Sequence, residues 1–144
     1  MIYFDAAYIA KCYLNEPGAE AVRRLDRTSD GLASCEIARL EVFATLQRHL
    51  RERRLQPAHL RLVVSRFESD EKAGTWTWLP VTATLVKDVC ATVARLPSDC
   101  FVRSLDALHL GCAHSNGYGE VYTNDRHMLA AASYFGLAAK NVIA

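Results

Sequence analysis

Four acids in this 144-residue chain stand where chemistry could be done: Asp5, Glu41, Asp106 and Asp125. Carboxylates brought together offer an all-oxygen ligand set with open positions, which suits Mg²⁺ or Mn²⁺ rather than zinc. Two carboxylates about 5 Å apart repel by roughly 3 kcal/mol at an effective dielectric of about 20. Four of them without compensation would threaten a fold stable by only about 5–15 kcal/mol. No basic residue adjoins Asp5 or Asp106 at ion-pairing spacing, although Arg103 and Arg126 lie near in sequence. A divalent cation is the simplest remedy.

Each acid also has a plainer reading. Aspartate at a helix start caps free N–H groups and complements the helix dipole, which would account for Asp5 and Asp125. Asp106 is harder to treat this way. Its helix, Leu105 to Ala113, is apolar nearly all round and should be buried. At about 100° per residue, Asp106 shares a face with Leu110 and Ala113. A carboxylate there is costly unless paired or bound to a cation. Glu41 is expected on the border of a stripe formed by Ile37, Leu40 and Ala44, long enough to reach back toward the strand ends.

The elements that must position these acids alternate. Ile2-Tyr3-Phe4 is a β-favouring run ended by Asp5, followed by a helix from Ala6 to Leu14 and another from about Ala19 to Arg27. Leu32-Ala33 is a brief strand. Ser34 reads as the N-cap of a long helix reaching about Arg54. Pro57 restarts a helix that Gly74 closes, and Thr75 to Leu79 is a strand. Thr82 and Ser104 read as caps of two more helices, running to about Ala94 and to Gly117. Val121-Tyr122-Thr123 is a strand, Asp125 opens a helix to Phe135, and Asn141-Val142-Ile143 is a candidate last strand. Strands separated by helices imply right-handed βαβ units and a parallel sheet covered on both faces. Ligands then sit outside the carboxyl ends of the strands, at a topological switch point, where Asp5, Asp106 and Asp125 fall.

Hydrophobic residues make up 51% of the chain, enough for a real core. The length suits one domain over residues 1–144. The net charge of +1 is not the footprint of a dedicated nucleic-acid binder, so any such contact must come from local patches. Arg48, Arg51, Arg53, Arg54, Arg61 and Arg66 could track a phosphate backbone, but a solvated helix face is the commoner meaning of such a run. Five cysteines without a C-x-x-C pair fit neither a disulfide framework nor a zinc knuckle; reduced core thiols suggest the cytoplasm. Met1 to Asp5 does not read as a signal peptide. No run approaches the ~18 apolar residues of a membrane span. His109, His114 and Cys112 do not share one helix face and read as core or groove residues. Trp76 and Trp78 should point to the same side of their strand, into the core.

Four blocks together carry a family resemblance over essentially the whole length. These are Ile2-Tyr3-Phe4-Asp5 followed by Tyr13-Leu14 and Glu16; Ser34 with Glu41 seven residues later; Arg103-Ser104-Leu105-Asp106-Ala107-Leu108-His109-Leu110; and Thr123-Asn124-Asp125-Arg126 followed by Met128-Leu129-Ala130-Ala131-Ala132. In this order the chain resembles the PIN-domain ribonucleases, specifically the VapC-type toxins of bacterial toxin–antitoxin pairs. The resemblance implies a three-layer α/β/α sandwich with a mainly parallel central sheet. It also implies metal-dependent hydrolysis of single-stranded or looped RNA. Asp5 and Asp106 would be primary ligands of Mg²⁺ or Mn²⁺, and Asp125 and Glu41 second ligands or groups acting through water. Ser104 and Thr123 are hydroxyl candidates for positioning a phosphate or a water, or are simply a cap and a strand-end residue. A VapB-type antitoxin and a homodimer are the implied partners.

One departure stands out. The position after the first aspartate is commonly serine or threonine in the family, and here it is Ala6. That keeps open a catalytically silent PIN-like module acting by protein binding. A phosphoacceptor domain, with an aspartate modified after the first strand, would favour a second acid beside Asp5, which Asp5-Ala6-Ala7 lacks.

Overall fold

Strand β1 (Ile2–Tyr3) pairs with β2 (Leu32–Cys35), and β2 with β3 (Trp76–Leu79), all parallel. On the other side of β1, a parallel bridge joins Phe4 to Tyr122 of β4 (Glu120–Tyr122), which pairs with β5 (Ala138–Lys140). The resulting order is β3-β2-β1-β4-β5. The structure, a computed structural model, describes residues 1–143; Ala144, the last residue of the expected domain span, lies outside the described residues.

Helices cover both faces. On one face lie α1 (Ala6–Tyr13), α2 (Ala19–Thr28), α3 (Ile37–Arg51) and α4 (Pro57–Lys72). They pack around Phe4, Tyr8, Leu32, Phe67 and Trp76. On the other face lie α5 (Ala83–Ala94), α6 (Ser104–Ser115) and α7 (Arg126–Ala131), packed around Tyr3, Cys35, Leu110, Val121 and Met128. Consecutive residues of β1 thus point into opposite cores, as strand alternation requires. Both Tyr3 and Phe4 are fully buried, and each such aromatic side chain contributes about 1.5–3 kcal/mol. The three-layer arrangement agrees with the expectation. Trp76 and Trp78 stack at 5.7 Å on the same side of β3.

Several local expectations are corrected. Ser34 is not a helix cap: β2 runs to Cys35, and the Ser34 hydroxyl donates to the Phe4 carbonyl at 2.7 Å. Helix α3 instead starts after Glu36, whose side chain makes no capping bond. Its buried stripe is Ala38, Val42 and Leu46, whereas Leu40 is 66% exposed and Ala44 is exposed as well. Ser104 is the first residue of α6, with Arg103 in the cap position. Thr82 does cap α5, accepting from the Leu85 N–H. Helix α7 passes into a 3-10 turn (Ala132–Phe135), which closes at Gly136 in the left-handed region, φ +74°. The last strand is Ala138–Lys140 rather than residues 141–143. β4 has Lys140 as its partner opposite Tyr122, so the register leaves the later residues beyond the pairing. Among the described residues no helix is long and apolar enough to cross a membrane.

Candidate functional site

The strand order reverses at β1, which has β2 on one side and β4 on the other. Parallel α/β sheets open a crevice at such a point. Asp5 leaves β1 there, and its N–H donates to the Tyr122 carbonyl of β4 at 3.1 Å. Its Oδ1 accepts the Tyr8 N–H at 2.9 Å, so Asp5 is also the cap of α1. The cap reading holds, and it leaves Asp5 at the strand-end crevice. Burial raises the Asp5 pKa above its ordinary value; the Thr123 hydroxyl, the Tyr8 N–H and His109 oppose that rise, while Asp106 adds to it.

Asp125 leaves the adjacent strand β4 after Thr123. Its Oδ1 accepts the N–H groups of His127 and Met128, each at 2.9 Å, and so caps α7. Thr123 is fully buried, and its hydroxyl accepts the Asp125 N–H at 3.0 Å. The same hydroxyl donates to the Met128 sulfur at 3.6 Å and lies near enough to Asp5 to favour its charged form. It supplies near Asp5 a hydroxyl that Ala6 cannot.

Asp106 sits in the first turn of α6, half-buried. Burial again raises its pKa; Arg103 lowers it, and the nearby Asp125 charge raises it. The expectation that no basic residue adjoins Asp106 at ion-pairing spacing is corrected here: Arg103 stands three residues before it, a spacing that brings side chains together at a helix start. Its Nε lies 3.2 Å from Asp106 Oδ2 and its guanidinium 2.8 Å from Asp125 Oδ2. The two acids are thereby partly neutralised by the chain itself.

Glu41 lies on α3, where its Oε1 meets His109 Nε2 at 2.6 Å. His109 Nδ1 is 2.8 Å from the Tyr3 hydroxyl. Burial pulls the His109 pKa down, but the Glu41 and Asp5 carboxylates outweigh it and raise the imidazole above its ordinary value. The residue read as core or groove is therefore core, and it touches a candidate site acid. Its signal was its place three residues after Asp106, one turn along α6, which is buried on one side only, with Leu105 exposed against the expectation of a helix buried nearly all round.

Glu41, Asp106, Arg103, Ser104 and Leu105 line an open cleft of about 460 Å³. Asp5 and Asp125 are not among its lining residues, and Asp5 is nearly closed off from solvent. Arg103, His109 and the capping N–H groups occupy carboxylate oxygens. Among the described residues no three Asp, Glu, His or Cys side chains close into a preformed ligand cluster. The arrangement is a rim of acids in which Arg103 ties Asp106 to Asp125 and His109 holds Glu41, with carboxylate oxygens left over.

The sequence matches the PIN domain family over residues 2–133. It is 30% identical over 141 residues to Ribonuclease VapC46 of Mycobacterium tuberculosis, an alignment covering 95% of this chain and 94% of that protein.

Proposed function

The chain belongs to the PIN-domain family, and on that premise we propose that it is a Mg²⁺- or Mn²⁺-dependent endoribonuclease, the toxin of a type II toxin–antitoxin pair. One observation carries the reading. Asp5 and Asp125 leave neighbouring strands at the switch point, and both lie within the electrostatic reach of Asp106.

The donor chemistry fits a hard cation, because every candidate ligand is a carboxylate. Asp5 and Asp106 would hold it, with Asp125 and Glu41 as second ligands or acting through water. When bound, such a cation lowers the pKa of water and offsets charge building on the phosphate. The chain's own residues do the rest. The Tyr8 N–H fixes one Asp5 oxygen and leaves the other for the rim. Glu41, held by His109, would take a proton from the nucleophile. The Ser104 hydroxyl, on the cleft wall, would orient a phosphate, and Thr123, which accepts the Asp125 N–H, would steady Asp125.

The decisive experiment is RNA cleavage by the purified protein in Mn²⁺, Mg²⁺ or EDTA, beside Asp5→Asn and Asp106→Asn. Activity should need the metal and be lost in both variants. Persistence in EDTA, or in both variants, would overturn the mechanism. A second reading, a PIN module that acts by binding protein and cleaves nothing, draws on Ala6 and on Arg103 spanning two of the acids. Metal-independent inertness of the wild type toward RNA, with its partner still bound, would favour it.

The proposed partners are an RNA substrate, a VapB-type antitoxin and a second copy of the chain; residues 1–144 would form one cytoplasmic PIN domain. Val86, Val93 and Leu105 are exposed around an apolar hollow of about 530 Å³ between α5 and α6. Contiguous apolar surface of that kind gives a protein partner something to cover.

A further inference from the structure

A buried imidazole with both nitrogens committed to side chains is an expensive way to fill a core. His109 is 1% exposed, with Tyr3 on one side and Glu41 on the other. Apolar residues of similar volume would fill that space without the demand that every polar group be satisfied. The chain meets the demand fully: among the described residues no buried side-chain polar atom lacks a partner.

The hydrogen bonds have a direction. The Cys35 N–H donates to the Tyr3 hydroxyl oxygen at 3.0 Å. A carboxylate can only accept, which fixes the Glu41 end of this chain of bonds, and Nδ1 of His109 shares its hydrogen bond with the Tyr3 hydroxyl at 2.8 Å. The imidazole proton then sits on Nε2 and is donated to Glu41 Oε1. A backbone amide of β2 thus sets, through two buried rings, the placement of a carboxylate on the cleft. Glu41 is anchored at one oxygen only; among the described residues its Oε2 takes no protein hydrogen bond.

We propose that His109, anchored by Tyr3, is a positioning residue that fixes Glu41 with one oxygen bound and the other presented to the cleft. It rests on the reading of the acidic rim as a cation-dependent nuclease site. His109 does not touch the reacting atoms. It acts on the cation and the nucleophile only through Glu41, as outer groups behind metal ligands do.

The test is Mn²⁺ binding measured calorimetrically without RNA, alongside kcat and KM for cleavage. The variants are His109→Leu, His109→Gln, Tyr3→Phe, Glu41→Gln and the double variant His109→Leu/Glu41→Gln, with folding checked by circular dichroism. His109→Leu should weaken Mn²⁺ binding by about 10–100-fold, the range typical for loss of an outer-shell partner, and lower kcat more than it changes KM. His109→Gln, whose amide can still donate to Glu41, should recover most of the loss. The double variant should be no worse than Glu41→Gln alone. Tyr3→Phe keeps the ring and removes only the anchor. It should show a smaller loss of the same kind, and it carries the test if His109→Leu does not fold. A folded His109→Leu with wild-type Mn²⁺ affinity, a Tyr3→Phe with wild-type affinity and kcat, a Gln variant no better than Leu, or additive losses in the double variant would each overturn the positioning role alone. A wild type that binds no Mn²⁺ and cleaves no RNA would overturn the nuclease reading and the positioning role together.

Discussion

The Arg103 guanidinium stands 2.8 Å from the Asp125 carboxylate and, through its Nε, 3.2 Å from that of Asp106. One side chain, 63% exposed, spans two acids of the rim. Exposed ion pairs contribute only about 0–1 kcal/mol each, so a divalent cation can outbid Arg103 for these oxygens. Replacing Arg103 by Gln should leave the melting temperature of the metal-free protein within a few degrees of wild type. It should tighten Mn²⁺ binding by about 2–5-fold, the equivalent of about 0.5–1 kcal/mol. Weaker binding in Arg103→Gln, read by calorimetry, would show instead that Arg103 helps to hold the site.

The buried Asp5 makes stability depend on pH in a particular sense. Its folded pKa is raised above the ordinary 3.8, so folding takes up a proton in the window between 3.8 and the raised value. The stabilisation is complete below 3.8 and is lost as pH climbs through the raised pKa. Asn at this position keeps the cap on Tyr8 and cannot ionise. In EDTA at neutral pH, Asp5→Asn should therefore melt a few degrees above wild type, with the difference shrinking toward pH 3. Saturating Mn²⁺ should raise the wild-type melting temperature by binding the native state and should do little for the variant. Thermal melts across pH with and without Mn²⁺ check both; a variant less stable than wild type at neutral pH contradicts the argument.

Local chemistry was legible in the sequence and pairing across the fold was not. Asp5 could be placed because a β-run ending in aspartate before a helix has few other meanings, and the same holds for Thr123 to Asp125. Ser34 was misplaced because a serine before a helical pattern looks the same whether it caps the helix or ends a buried strand; only the Phe4 carbonyl opposite it decides. Leu40 was taken for core because its apolarity fitted a periodic stripe, but the stripe turned toward α1 and the sheet is Ala38, Val42 and Leu46. The Glu41–His109 pair joins residues 68 apart and the Arg103–Asp125 pair residues 22 apart. No helical or strand period connects either pair, whereas the Arg103–Asp106 pair lies at a helical spacing of three and was there to be read.

Gly111 of α6 packs directly against Val89 of α5. A Cβ built there would lie 2.3 Å from Val89 Cγ2, well inside contact distance. Alanine would gain up to about 1 kcal/mol of helix propensity, but forcing a methyl into a packed interface costs about 1–3 kcal/mol. Gly111→Ala should be net destabilising in urea unfolding. Combined with Val89→Ala, it should destabilise less than the sum of the two single changes, because the second removes the clash. Strict additivity would mean that the helices separate freely and that the close approach has no energetic weight.

Ser34 provides the sharpest test of how the sheet delivers Asp5 to the rim. The Phe4 N–H donates to Ala33, and a regular parallel ladder would next run from the Cys35 N–H to the Phe4 carbonyl. That N–H is taken by the Tyr3 hydroxyl, so the Ser34 hydroxyl, fully buried, serves the Phe4 carbonyl in its place. Ser34→Ala should leave that carbonyl unpaired at a cost of about 1–3 kcal/mol, measured by urea unfolding. Because Phe4 directly precedes Asp5, the change should also weaken Mn²⁺ binding under conditions where the variant is fully folded. A stability loss with unchanged Mn²⁺ affinity would mean that Asp5 is held by its cap on α1 and by Tyr122 alone.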